Sequence, residues 1–326
     1  MEAAFTGELL HHFEEQGYAI VRGVLDPEKD IKPVVDEYGA LADQLAKTYI
    51  ETGKIGSYER PAAPIDRLLE LMNKTKGRCF QALDITLPAE DKIRHDTPIH
   101  LGQEVFGLLR NERLLDAIEY FIGGEIYCVP VQHMRIKPPE KEMSNDVQVH
   151  TKTLTARTYW HQDLVVVTED ADQTKMLGVW FSLNEATEEN GCLVVVPGSH
   201  KEGLVQHCNQ PGKQGIPDAL VGENQVALPV KPGDVIFLHP LIKHSSLANL
   251  SKSGRWSFDL RYCPTGQPTG RKWFPGFVAR SRKNRDDEMR DPEAWANIWR
   301  DARAALADLP RPDFHHSSAP NHPLCA

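Results

Sequence analysis

The chain has 326 residues and a formal net charge of −9, with 40% apolar and 25% charged residues. This composition is typical of a soluble globular protein with a sizeable core, and the negative surplus disfavours nucleic acid or an anionic membrane as the main partner. No run of about 18 apolar residues is present, so no membrane-spanning helix is expected. The first residues lack the basic and apolar pattern of a signal peptide.

The spacing of the cysteines indicates neither a zinc site nor a disulfide framework, because no Cys-x-x-Cys pair occurs. The six residues are Cys79, Cys128, Cys192, Cys208, Cys263 and Cys325. We therefore expect a reducing compartment, the cytoplasm. The protein is expected to act on a small molecule, as a monomer or a homodimer.

Residues 1–124 are predicted to be mostly helical, because apolar residues recur there at intervals of three and four. The pattern is clear from Ile31 to Leu45, in a helix that begins near Pro27. Predicted helices cover residues 27–52, 64–73 and 111–122, with a further short helix around Leu9–Phe13 and a strand at Tyr18–Arg22. Gly123-Gly124 is a suitable end for the last of these helices.

From residue 125 the apolar period changes to that of short β-strands, which are bounded by Gly, Pro, Asn and Asp. The predicted strands are Glu125–Lys137, Thr155–Val167, Leu177–Leu183, Gly191–Val196, Gln225–Pro229, Asp234–Leu238, Ser245–Leu250 and Trp256–Tyr262. Evenly spaced short strands of this kind favour a β-sandwich or jelly roll over an α/β sheet. The predicted fold is therefore mainly β with flanking helices.

Two long loops and a late helix complete the expected organisation. Residues 138–154 and 200–224 are irregular and polar, and substrate binding is expected there because long loops on a rigid scaffold commonly carry function. Residues 291–308 carry an apolar stripe and should form a helix, followed by an irregular tail. We predict one domain over residues 1–326, with a jelly-roll core at 125–264 and a C-terminal helix and tail at 265–326.

The segment Tyr159-Trp160-His161-Gln162-Asp163 carries a pair of potential metal ligands. On a strand, residues i and i+2 point to the same face, so His161 and Asp163 can share one ion. His244 is the candidate third ligand. Two histidines and one carboxylate on one side of a metal suit non-haem Fe(II) chemistry with O₂. A His-x-Asp pair by itself is a weak signal that occurs by chance in many chains.

The surrounding motifs make the pattern specific. Asn190-Gly-Cys-Leu and Pro197-Gly-Ser-His lie between the ligands, and His244 is followed by Ser246 and, eleven residues on, by Arg255. Together these motifs resemble the phytanoyl-CoA dioxygenase family, closely over residues 125–264 and loosely over the helical N-terminal third. The resemblance implies a double-stranded β-helix of the cupin type. It also implies an enzyme that uses Fe(II), 2-oxoglutarate and O₂.

The resemblance also implies roles for individual residues. Arg255 would bind the far carboxylate of 2-oxoglutarate, since a planar guanidinium offers two parallel N–H donors. Other expected contacts of the cofactor are Ser246, Lys137, Thr158 and Trp180. Candidate substrate contacts are His133, Arg135 and Arg157. For Lys137 and Arg255, solvated positions at strand ends are the competing interpretation.

The expected reaction is hydroxylation of an unactivated C–H bond with release of succinate and CO₂. Related iron halogenases place Ala or Gly where this chain has Asp163, so oxygenation is predicted rather than halogenation. Desaturation or ring formation with the same cofactors remains an alternative. A catalytically silent cupin-type binding protein is a second alternative, and the intact His161, Asp163, His244 and Arg255 argue against it.

Overall fold

Helices precede and follow a run of short strands in this computed structural model, which describes residues 5–89, 92–142, 158–210, 213–310, 316 and 323–325. The α-helices of these residues are α1 Gly7–Gln16, α2 Lys32–Glu51, α3 Pro64–Thr75, α4 Phe80–Leu83, α5 Gln103–Leu109, α6 Glu112–Ile122 and α7 Pro292–Ala307. Within the same ranges, no helix combines the length and apolar character needed to cross a bilayer.

The strands are antiparallel throughout the described sheets. They are β1 Tyr18–Val21, β2 Glu125–Cys128, β3 His133–Lys137, β4 Thr158–His161, β5 Leu177–Ser182, β6 Leu193–Val195, β7 Cys208–Gln210, β8 Lys213–Gly215, β9 Val226–Leu228, β10 Val235–Leu238, β11 His244–Ser246, β12 Arg255–Pro264 and β13 Phe277–Ser281. A large sheet has the order β1-β10-β5-β12-β2-β13, with β3 also paired to β12, and a smaller sheet has the order β4-β11-β6-β9. Strands β7 and β8 form a separate hairpin.

The ends of several helices follow from local chemistry. The side chain of Asn111 accepts a hydrogen bond from Leu114 N at the start of α6, and Asp291 caps α7 through Glu293 N. Helix α6 ends at Gly123, whose φ of 86° suits a residue without a Cβ atom. Residues 27–31, predicted as part of the long helix, form one π-helical turn ahead of α2.

The large sheet buries its outer face under the helices. Along β12, alternate side chains Trp256, Phe258, Leu260 and Tyr262 are buried in the main hydrophobic core. Tyr38 of α2 packs edge-on against Trp256, with ring centroids 5.3 Å apart. Each fully buried side chain of this size stabilises the fold by roughly 1.5–3 kcal/mol before entropy is counted. Because the period of a strand is two, the other side chains of β12 face the interior of the sandwich.

The inner face of the large sheet packs against the smaller sheet. Trp180 of β5 and Ile236 and Leu238 of β10 share one apolar cluster with Leu193 and Val195 of β6. This cluster fills only part of the space between the sheets. The remainder is lined by polar and charged side chains, and it forms the site described below.

Three predicted strands differ most from the strands of the structure. The strand predicted at Glu125–Lys137 is divided into β2 and β3, because Pro130 lacks the N–H needed for a ladder and Val131 N instead bonds to Val129 O at 2.8 Å. The strand predicted at Thr155–Val167 ends at His161, and residues 163–166 form a 3₁₀ turn. Strand β11 ends at Ser246, short of the predicted Leu250.

Elements that the sequence analysis did not predict join the fold as well. Strand β13 pairs with β2 at the edge of the large sheet, and helix α5 packs against the C-terminal helix, with Phe106 stacked on Trp295 at 5.3 Å. The predicted loop 200–224 contains the hairpin β7–β8. Of the other predicted loop, 138–154, residues 143–154 lie outside the described part of the chain.

The expectation that the cysteines form no disulfide is wrong for one pair. Cys208 and Cys325 are bonded, although 117 residues separate them in sequence. The other four cysteines are buried free thiols. The pairing carries no local sequence signal, because it depends on where the C-terminal segment lies in the fold. That segment also contacts the chain after the ligand motif, since His316 N donates to Val165 O at 3.1 Å.

Candidate metal centre

His161, Asp163 and His244 lie together between the two sheets. His161 ends β4 and His244 begins β11, and the two residues are directly opposite in the antiparallel pairing, so their side chains share one face. Gln162 is still extended, which keeps Asp163 on the side of His161. The Nε2 atoms of His161 and His244 lie 3.9 Å and 3.7 Å from Asp163 Oδ1. Among the described residues, these three form the group of side chains whose donor atoms lie close enough together to hold one metal ion.

Hydrogen bonds orient both imidazole rings in the same way. His161 Nδ1 donates to Tyr159 O at 2.9 Å, and His244 Nδ1 donates to Ile242 O at 3.0 Å. Because a carbonyl oxygen only accepts, Nδ1 must carry the proton in each ring. The lone pair of a neutral ring then lies on Nε2, the atom that faces Asp163. This arrangement is the one that metal-binding histidines commonly adopt.

Asp163 is a buried carboxylate with one oxygen left without a partner. Arg261 Nη2 donates to Oδ1 at 2.5 Å, whereas Oδ2 has no hydrogen bond to any described residue. Burial alone would raise the pKa of Asp163, but the Arg261 guanidinium and His244 outweigh it and hold that pKa below its usual value. Gly178 faces this carboxylate, and a Cβ atom there would lie 3.2 Å from Oδ2. An ionised, unsatisfied carboxylate beside two Nε2 atoms fits a divalent metal ion.

Gln162, between two of the ligands, ties the surrounding segments together. Its Nε2 donates to Gly203 O at 2.8 Å and to Leu241 O at 2.7 Å, and its Oε1 accepts from Val205 N at 2.9 Å. The side chain is fully buried. It thereby connects the chain before β11, which carries His244, to the motif that carries the other two ligands.

A hydrogen-bonded cluster of predicted cofactor contacts lies beside the histidines. Lys137 Nζ donates to Ser246 Oγ at 2.7 Å, and the hydroxyls of Ser246 and Thr158 are 2.8 Å apart. A β-bulge brings Thr158 to Ser246. The two paired positions, His161 with His244 and Thr158 with Ser246, are three residues apart on β4 but two residues apart on β11. Strict alternation would have placed Thr158 on the face opposite to His161.

The turn Asn190-Gly191 makes room for the lysine of this cluster. Gly191 has a φ of +92°, and a Cβ atom there would lie 2.7 Å from Lys137 Cδ. Glycine is therefore required at this position both for its backbone conformation and for the close approach of Lys137. The turn that the sequence shows ahead of β6 thus shapes the wall of the site.

Arg255 is a buried cation without a carboxylate partner in the described part of the chain. Its guanidinium lies 5.2 Å from the centre of the Trp180 ring, and Nη1 donates to Ser257 Oγ at 2.5 Å. Its Nε atom has no hydrogen bond to any described residue. Burial lowers the pKa of Arg255 to about 10. Arg255 and Lys137 are paired across β12 and β3, so two cations share one face of the sheet.

The predicted substrate contacts of β3 already have partners. His133 Nδ1 lies 2.9 Å from Asp84 Oδ2, and burial lowers the pKa of this histidine. Arg135 Nη2 lies 3.5 Å from Asp259 Oδ2. Both side chains remain partly exposed on the inner face of the sheet. Arg157, the third predicted contact, lies outside the described residues.

Comparison with known proteins identifies the family. The profile described as phytanoyl-CoA dioxygenase matches residues 13–257. The chain belongs to the phytanoyl-CoA dioxygenase family. The enzyme is therefore a 2-oxoglutarate-dependent non-haem iron dioxygenase that uses Fe(II), 2-oxoglutarate and O₂, as its resemblance to the family implied.

Individual members of the family are only moderately similar to this chain. The zebrafish (Danio rerio) phytanoyl-CoA dioxygenase domain-containing protein 1 is 24% identical over 274 residues, which cover 77% of this chain and 87% of that protein. The human (Homo sapiens) peroxisomal phytanoyl-CoA dioxygenase is 25% identical over 268 residues, which cover 79% and 68%.

Solved structures show the same fold at lower identity. The non-haem monooxygenase ThoJ in its apo form has a TM-score of 0.59 and 17% identity, with 92% of this chain and 97% of that chain covered. The epimerase SnoN in complex with Fe³⁺, α-ketoglutarate and nogalamycin RO has a TM-score of 0.50 and 20% identity, with 83% and 88% covered. The predicted jelly roll of the cupin type is thus confirmed.

Sequence reasoning missed three residues that the fold brings to the family site. Arg261 and Asp259 follow Arg255 at even intervals on β12, so they share its face, and this alternation was the available signal. Gln162 lies between the ligands His161 and Asp163, but its contacts with residues 203–205 and Leu241 depend on long-range packing.

We expect Gln162→Leu to lower the free energy of unfolding by at least about 2 kcal/mol, because each buried group left unpaired costs about 1–3 kcal/mol. Leucine has a similar size, but it cannot donate hydrogen bonds to Gly203 O and Leu241 O or accept one from Val205 N. Denaturant unfolding of both forms measures the difference. The control is Gln225→Leu, in an exposed loop, where the expected change is within about 0.5 kcal/mol. Equal stability of the two variants would contradict the stabilising role assigned to the hydrogen bonds of Gln162.

Proposed function

We propose that this protein hydroxylates an unactivated C–H bond of a small molecule, with Fe(II) held by His161, Asp163 and His244. The observation that carries the proposal is the cluster itself, in which two oriented Nε2 atoms meet a buried carboxylate with an unpaired oxygen. When bound, the iron would supply the activation of O₂. In the overall balance, substrate, 2-oxoglutarate and O₂ give the alcohol, succinate and CO₂.

The charges around the cluster support a place for 2-oxoglutarate. Among the described residues, the Arg255 guanidinium contacts Ser257 and Trp180 and forms no ion pair with a carboxylate, and Lys137 lies opposite it on β3. A dicarboxylate would offset the desolvation of the buried Arg255 guanidinium, which is otherwise costly. Arg255 would hold the far carboxylate against the ring of Trp180. The hydroxyls of Ser246 and Thr158 would donate hydrogen bonds to the cofactor and, with Lys137, would orient it.

The proposed substrate contacts lie at the start of β3, at the opposite end of the strand from Lys137. His133 and Arg135 present partly exposed polar groups on the same inner face, and Arg157 is a further proposed contact. His161 is the most exposed of the three ligands, with 18% of its side chain accessible against 2% for Asp163. We therefore expect the substrate to enter on the side of His161. Its binding would exclude water from the reacting atoms.

The reaction outcome is tested by product mass. Candidate small molecules are screened for stimulated succinate formation, and the product is analysed in ¹⁸O₂ with saturating chloride. We expect one heavy oxygen atom and no halogen, because the carboxylate of Asp163 would act as the third protein ligand of the iron and would repel a second anion. A chlorinated product from the unmutated protein would contradict the argument. A product lighter by two hydrogens would indicate desaturation or ring formation instead of hydroxylation.

Assembly and compartment are further parts of the proposal. We propose a monomer or homodimer, which light scattering on the purified protein would determine. The cytoplasm is the proposed compartment, since four of the six cysteines are free thiols. This proposal requires that Cys208 and Cys325, which are bonded in the structure, are reduced in the cell. Fractionation of cells that express the full chain tests this, and recovery from an oxidising or membrane-enclosed fraction would contradict it.

A further inference from the structure

Arg261 occupies the interior of the sandwich next to the candidate metal ligand Asp163. Its Nη2 donates to Asp163 Oδ1 at 2.5 Å, and both side chains are 2% exposed. Its Nη1 donates to Val131 O at 3.2 Å, and its backbone N donates to Gln132 Oε1 at 3.3 Å. The guanidinium is therefore anchored to Val131 as well as to the carboxylate, and the backbone of Arg261 is tied to Gln132.

A second carboxylate completes the environment of this arginine. Asp259 Oδ1 lies 3.5 Å from Arg261 Nη2, and Asp259 Oδ2 lies 3.5 Å from Arg135 Nη2. Charges therefore alternate in the order Asp163, Arg261, Asp259, Arg135. The order follows from the fold, because Asp259 and Arg261 are two residues apart on β12 while Arg135 pairs with Ser257 on the neighbouring strand. Each of these charges has a neighbour of opposite sign, which offsets the cost of desolvation for the buried Asp163 and Arg261.

A carboxylate on a flexible side chain can offer a metal one oxygen or two. A charge-assisted hydrogen bond from a rigid guanidinium restricts that choice, because it engages one oxygen of the carboxylate and holds it in position. In this chain the bond is made to Oδ1, and Oδ2 is kept without any other described partner. Arg261 reaches Val131 O through Nη1 and the two carboxylates through Nη2, whereas a lysine carries all of its donors on one nitrogen and lacks this planar arrangement.

We propose that Arg261 is a positioning residue for the metal site: it orients the carboxylate of Asp163 for metal binding, and Asp259 holds Arg261 in place. This inference rests on the proposed metal-binding role of His161, Asp163 and His244. It assigns to Arg261 a task different from that of Arg255, although the two arginines lie on the same face of β12.

The test measures metal binding directly by calorimetric titration of the metal-free protein with Co²⁺, and it needs no substrate. Partners that orient metal ligands typically contribute about 10–100-fold to metal affinity. We expect Arg261→Lys to weaken Co²⁺ binding by a factor in that range. The visible absorption spectrum of the Co²⁺ protein should change as well, because the orientation of a ligand is altered.

Arg280→Lys is the matched control. Arg280 is also a buried arginine of the large sheet, but it pairs with Glu112, Asp116 and Glu119 and contacts no residue of the cluster. This variant should bind Co²⁺ with the affinity and the spectrum of the unmutated protein. Equal Co²⁺ affinity and equal spectra in Arg261→Lys and Arg280→Lys would overturn the inference. If the unmutated protein binds no Co²⁺, the proposed function fails instead.

Asp259→Asn provides a second variant that keeps the size of the side chain and removes only its charge. We expect a severalfold loss of Co²⁺ affinity, smaller than in Arg261→Lys, because Arg261 keeps its bond to Asp163 but loses its other anionic neighbour. Near-ultraviolet circular dichroism verifies the fold of every variant. Should Arg261→Lys fail to fold, Asp259→Asn decides the question, and an unchanged Co²⁺ affinity in that variant would overturn the proposal.

Discussion

Replacement of His244 by alanine should abolish iron binding and the slow conversion of 2-oxoglutarate to succinate that we expect of the unmutated protein without added substrate. His244 Nε2 lies 3.7 Å from Asp163 Oδ1 and is one of three donor groups of the cluster. Loss of a direct ligand should weaken metal binding by more than about 100-fold, since even the outer partners of ligands contribute about 10–100-fold. Iron titration and succinate formation measure the two effects.

His200→Ala is the control for this substitution. His200 lies in the segment Pro197-Gly-Ser-His, and its Nε2 donates to Glu14 O rather than facing the cluster. The control should retain one Fe(II) per chain and its 2-oxoglutarate turnover. Full turnover in His244→Ala, or loss of iron from His200→Ala alone, would be incompatible with the proposed ligands.

Arg255→Ala should raise the apparent KM for 2-oxoglutarate by about 30-fold or more while the fold and the iron content are retained. A buried carboxylate that loses its charged partner costs on the order of 2–5 kcal/mol, and about 1.4 kcal/mol corresponds to a factor of ten. Arg255→Lys should restore the affinity only in part, because one ammonium replaces a planar pair of donors. Succinate formation at varied 2-oxoglutarate concentration provides the KM of each form.

An unchanged KM in Arg255→Ala would assign the far carboxylate to another cation. Lys137 would then be the first to test, since it lies opposite Arg255 on the same face and its ammonium points to Ser246. Arg261 is a poor substitute, because Asp163 and Asp259 already occupy its guanidinium. Among the cations of this face, Lys137 is therefore the alternative to Arg255 that the structure favours.

Local patterns in the sequence were sufficient to predict most elements and the core of the candidate site. The helices around residues 64–73, 111–122 and 291–308 are confirmed within about two residues, because an amphipathic helix repeats its apolar residues over several turns and needs no distant partner to be recognised. The spacing of His161 and Asp163 and the order of the family motifs likewise lie in the sequence itself.

Only the tertiary structure decided which distant residues share one space. The bulge that turns Thr158 toward Ser246, the bond between Cys208 and Cys325, and the contact of Arg261 with Asp163 all join segments that are far apart in the chain. Strand periodicity predicts that Arg255 and Arg261 share a face, but it does not predict which of them contacts a carboxylate. That choice depends on strand pairing and packing across the sandwich, where hydrogen bonds and charges are satisfied by residues from elsewhere in the sequence.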